Sequence, residues 1–107
     1  MAEAERAALR DRIEQRIEEA SAALGENLHD VKIMRDEVLP ASERAVQAVR
    51  AGYEANRSDF LTLLNATRDL ARARLELHET LATAHQAEAQ LRRALAIDAV
   101  PPGEEEK

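Results

Sequence analysis

YEANRSDFLTLLNATR, residues 53–68, decides how this chain folds. Apolar residues recur at helical spacing from Leu9 to Val49 before it and from Phe60 to Leu95 after it, whereas Glu54 to Ser58 are small or polar and supply no stripe residue. Two long helical patterns separated by so short a gap predict a sharp reversal. Asn56 is the residue to make it, because asparagine tolerates the left-handed conformation that ends helices when glycine is absent. Ser58 or Asp59 can then cap the second helix, since either side chain can accept a hydrogen bond from an unpaired backbone N–H.

Working outward into the first arm, Leu9, Ile13, Ile17, Ala20 and Leu24 form one face, and Leu28, Val31, Met34 and Val38 continue it. Gly25 interrupts this stripe at a cost of roughly 1 kcal/mol relative to alanine, so one helix is expected to run through it with a weak point there. Pro40 cannot donate to the carbonyl of Asp36, and its ring crowds that turn, which allows either a kinked continuous helix or a break near Leu39. The heptad Leu24, Val31, Val38, Ala45, Gly52 passes Pro40 without a slip, and this favours the kinked continuous helix.

In the second arm Leu63, Leu70, Leu77, Ala84 and Leu91 recur every seven residues, with Thr67, Arg74, Leu81, Glu88 and Leu95 four residues beyond each. A seven-residue repeat implies a left-handed supercoil. A turn near residue 57 sets Ala45 opposite Leu70, Val38 opposite Leu77, Val31 opposite Ala84 and Leu24 opposite Leu91, so both repeats fit one turn. It leaves residues 1–16 without a partner in the second helix. The predicted fold is all-α: a long antiparallel helical hairpin, coiled-coil-like and kinked near Pro40. Its helices cover about 3–53 and 59–97, its turn about 54–58, and a disordered acidic tail follows at 99–107. Two helices cannot enclose a core, so the free apolar edge is expected to self-associate into a helical bundle.

Composition narrows the function. The chain has 107 residues, a formal charge of −6, one Phe, one Tyr and no Trp. Interleaved charges with so few aromatics argue against a nucleic-acid binder. The absence of cysteine excludes disulfides and thiolate chemistry. No apolar run approaches the ~20 residues that span a bilayer, and the N-terminal MAEAERAALR has no apolar signal core, so the chain as written is expected to stay cytoplasmic. No Ser–His–acid set or glycine-rich phosphate loop appears, and no enzyme or cofactor is expected. Three histidines are candidate metal ligands: His85 falls level with Asp30 and near His29, and His78 falls level with Glu37. Histidines beside carboxylates suit zinc or copper, but each lies off the seam and no His-x₃-His spacing supports them. Arg74 and Glu88 flank the seam, as an ion gate or as side chains lying over it with their heads in water.

The segment from Arg35 to Asp98 resembles the C-terminal part of TolC-like outer-membrane efflux proteins, in their heavy-metal and drug resistance branch. Leu39-Pro40, Tyr53-x-x-Asn56, Asp59-Phe60-Leu61-x-Leu63-Leu64-x-Ala66-x-Arg68 and Leu91-x-x-Ala94-Leu95 carry the resemblance, with Asn56 where the family usually has glycine. The resemblance implies one periplasmic hairpin of a trimeric channel, with barrel strands elsewhere in a longer protein. Its tip would contact a periplasmic adaptor protein of a tripartite pump through Tyr53, Asn56, Arg57, Ser58 and Leu61. Such a chain belongs in the periplasm and outer membrane as part of a full-length relative. The alternative is a free-standing hairpin that dimerises into a four-helix bundle with a scaffolding or metal-binding role.

Overall fold

The computed structural model describes residues 2–99 and is helical apart from one turn. Helix α1 spans Ala2–Ile33, a single π-helical turn covers Met34–Val38, α2 spans Leu39–Glu54 and α3 spans Phe60–Ala99. The expected all-α hairpin is the fold. Glu3 and Glu5 in the first turn of α1 and Lys32 in its last complement the helix dipole. Gly25 lies within α1, exposed, with open space where a Cβ would stand. Beyond Ala99 the expected acidic tail lies outside the described residues.

The chain forms two compact units. One combines residues 28–82 and contains the turn; the other combines segments from the two arms, residues 2–27 and 83–99 of those described. In the turn unit the buried side chains are Val31, Val46, Leu70 and Ala73, and in the other Ala84, Ala87 and Ala94. No described side chain is fully enclosed. This is a thin, alanine-rich seam.

Pro40 does not end the helix, but it does not leave the register intact either. Leu39 N–H donates to the Met34 carbonyl, five residues back, which is the bond of a π turn. A π turn holds one residue more than an α turn, so everything after it is offset by one. Upstream, the covered positions follow the heptad: Leu24, Asn27, Val31, Met34 and Val38. Downstream they become Leu39, Ser42, Val46 and Val49, while Ala41, Ala45 and Ala48 are exposed; Gly52, on the heptad, is half-buried where Ser58 folds over it at the turn. The expectation that Ala45 sits on the seam is therefore wrong; Val46 takes its place, at 6 % exposure. Two reasons favour the offset. In α geometry the proline ring would press on the carbonyl four residues back, worth roughly 3 kcal/mol. Covering Val46 and Val49 in place of Ala45 and Ala48 also removes more apolar surface, on the order of 2 kcal/mol at ~0.8 kcal/mol per methylene.

The second row of α3 also differs from expectation. Leu63, Leu70, Leu77, Ala84 and Leu91 are all covered, as the heptad predicts. Their companions are Ala66, Ala73, Thr80, Ala87 and Ala94, three residues beyond each, rather than the row four beyond. Thr67, Arg74 and Leu95 are exposed, and Leu81 and Glu88 are half-buried. Small side chains at the inward row let backbones approach closely, and the longer residues next to them cover the flanks. The unpartnered N-terminal stretch is shorter than expected: residues 2–12 are exposed, but Ile13 is half-buried and Arg16 lines a groove with Ile97 of α3.

Candidate docking surface at the hairpin turn

The turn is built from the backbone outward. Ala55 closes α2, and Asn56 follows with φ 60°, the only positive φ outside glycine among the described residues. Arg57 N–H then reaches back to the Gly52 carbonyl at 2.6 Å, and Asn56 N–H to the Tyr53 carbonyl at 3.0 Å. This pair of bonds is the Schellman arrangement, which satisfies carbonyls the helix end would otherwise leave open. Ser58 N–H also donates to Gly52 O, at 3.1 Å, and its side chain folds over Gly52. A Cβ added at Gly52 would stand 2.6 Å from Ser58 Oγ, so this approach depends on glycine.

Of the two capping residues the sequence offered, Asp59 takes the role. Its Oδ1 accepts the Thr62 amide at 2.8 Å and the Thr62 hydroxyl at 2.6 Å. The Thr62 hydroxyl, and then the Thr62 amide, hold the Asp59 carboxyl below its ordinary range. Because the fold favours the ionised form, this contribution is complete above the ordinary aspartate pKa. It fades as the pH falls through that value toward the lowered native one. Asp59→Asn keeps a good neutral cap and removes the titration. Its stability near neutrality should stay close to wild type, while acid melts below about pH 4 should show a shallower loss than wild type. Asp36, hydrogen-bonded to Arg35 at 2.9 Å and likewise lowered, should keep the residual slope.

With the amides of Ala55 to Ser58 bonded back onto α2, the larger side chains of the turn face outward. Tyr53 and Phe60 meet edge to face across it, with ring centroids 6.3 Å apart. Tyr53 is 41 % exposed, Phe60 61 % and Leu61 60 %. Arg57 is exposed beside them, and Ser58 is half-buried against Gly52. The structure thus divides the predicted tip residues. Asn56 and Ser58 build the turn, and Tyr53, Arg57 and Leu61 are presented by it. Phe60 was missed as a surface residue because it was counted as the start of the α3 stripe; its place next to the cap residue, before the seam begins at Leu63, was the available signal.

The other candidates do not assemble. His29, His78 and His85 are all exposed, and among the described residues no group of three or more His, Cys, Asp or Glu is placed to hold a metal ion. Arg74 is exposed, and Glu88 pairs along α3 with Arg92. An open groove in the unit formed by the chain ends is lined by Ala20, Ala23, Ala94 and Ile97 with Arg16, Glu19, Gln90 and Arg93. No described helix is long and apolar enough to cross a membrane. No protein-family model, curated protein or solved structure matches this chain.

Proposed function

We propose that this chain is a periplasmic tunnel-forming hairpin of a TolC-like outer-membrane efflux channel, a structural element whose tip contacts the adaptor protein of a tripartite export pump. The observation that carries the reading is the exposed cluster of Tyr53, Phe60 and Leu61 on a turn whose amides from Ala55 to Ser58 bond back onto α2. Large apolar side chains on a stiff, capped turn cost little entropy to immobilise, which is what a docking tip needs. The thin seam supports the same reading, since a hairpin with no fully enclosed side chain among its described residues gains from neighbours along its length. In a channel of the family's kind, three copies in all, those neighbours would be the other copies.

The same thin seam also favours a second reading, a free-standing hairpin that dimerises into a four-helix scaffold. Adaptor binding separates the two. The measurement is titration of the chain with the helical hairpin domain of a periplasmic adaptor from the same pump. Leu61→Ser and Arg57→Ala should weaken binding at least ~10-fold, about 1.4 kcal/mol, with unchanged helix content and melting temperature. Affinity that survives both changes removes the tip from the interface. A wild-type chain that binds no adaptor and has the solution mass of a dimer supports the scaffold instead.

A further inference from the structure

We propose that α2 has two seating registers on α3, one residue apart, and that the π turn at Met34–Val38 stores the residue that separates them. The sequence carries both registers. One is the uninterrupted heptad through Val38, Ala45 and Gly52, with Ala41 and Ala48 beside it. The other is the one the structure occupies, through Leu39, Ser42, Val46 and Val49. Every position in either set is apolar or small, so neither register would cover a charge. In the bulge, conversion tightens the π turn to α geometry and moves Leu39 N–H from the Met34 carbonyl to that of Arg35; at the far end of α2 the bonds of Arg57 and Ser58 N–H to the Gly52 carbonyl must re-form around the turned helix. α2 then turns by about 100° and shifts by about 1.5 Å. The ion pair in the bulge joins the adjacent residues Arg35 and Asp36, so it can persist in both states. Pro40 opposes the α geometry and holds the balance on the π side. The device would let strain at one part of the hairpin rotate the helix that carries Tyr53.

The cysteine-free sequence makes the test direct. Val46→Cys, Ala45→Cys and Gln47→Cys are each combined with Leu70→Cys, and the rate of disulfide trapping is followed under mild oxidation. Ala45 and Gln47 flank Val46 on opposite sides, about 100° away each, so loose motion would present them alike. The expected result is fast trapping for Val46, trapping at least tenfold slower for Ala45, and slower still for Gln47. Pro40→Ala should then raise the rate of Ala45 relative to Val46 by at least ~10-fold without lowering helix content, the larger valine surface still favouring the register of Val46. As a second variant, deletion of Asp36 removes the stored residue from the bulge and should leave Val46 the faster partner. The proposal is overturned if Ala45 traps no faster than Gln47 in both backgrounds, or if Pro40→Ala leaves the ratio of the Ala45 and Val46 rates unchanged.

Discussion

Leu70→Asp is expected to destabilise the hairpin by more than about 3 kcal/mol, enough to leave much of it unfolded at 25 °C. Leu70 is the largest of the buried side chains and is 9 % exposed. It lies in the turn unit with Val46 and Ala73, where no described buried polar or charged group is present to pair with a new carboxylate. An unpaired buried charge therefore has only two escapes, protonation or opening of the seam. Leu70→Ala separates the transfer contribution from the charge and should cost about 2 kcal/mol, at the low end for leucine, because the seam is thin and can partly close. Leu75→Asp is the matching control. Leu75 is 57 % exposed, and its change should stay within about 0.5 kcal/mol. Urea melts followed by helix ellipticity give all three values. They need equal protein concentration, since any self-association stabilises the folded state by mass action. Similar costs at Leu70 and Leu75 would mean that the seam between the arms is not what holds the fold.

The contrast between these two leucines also shows what was legible in the sequence. The heptad of α3 identified Leu70 as inward because one leucine or alanine row repeats without interruption from Leu63 to Leu91. The row beside it was misassigned by one position. Thr67, Arg74 and Glu88 should have counted against their row, and Ala66, Ala73, Ala87 and Ala94 formed a cleaner one. The offset after Pro40 was harder to see. Counting residues assumes 3.6 per turn throughout, and a π turn breaks that assumption without interrupting the helical pattern. Size held the clue: past Pro40 the larger side chains, Val46 and Val49, sit one step off the heptad, on the positions the structure covers. The turn was the best-read part because its chemistry is local. The left-handed Asn56 follows from the residue type, as does an oxygen cap at the start of α3. Choosing Asp59 over Ser58 required knowing that Ser58 is drawn back onto Gly52. The outward set of Tyr53, Phe60 and Leu61 depends on how α2 and α3 meet at that turn, which no single stretch of sequence specifies.

Asn56 gives the second large effect, and its two substitutions should have opposite signs. At φ 60° a β-branched side chain crowds the backbone, so Asn56→Val should cost about 2 kcal/mol and lower the melting temperature by several degrees. Asn56→Gly removes the Cβ and should raise stability by up to about 1 kcal/mol, less what the more flexible unfolded chain takes back. Thermal melts of the two variants beside wild type measure the difference; equal melting temperatures would mean that the left-handed turn is not required for the hairpin. The pair also separates folding from docking at the tip. Neither change touches the exposed rings or Leu61 directly, but Asn56→Val disturbs the backbone that carries Arg57 N–H to Gly52 and Asn56 N–H to Tyr53. A tip that docks through Tyr53, Arg57 and Leu61 should therefore bind as well with glycine at position 56 as with asparagine, and worse with valine. If affinity falls with glycine although stability rises, the asparagine side chain itself touches the partner, and Asn56 moves from the residues that shape the tip to those that make contact.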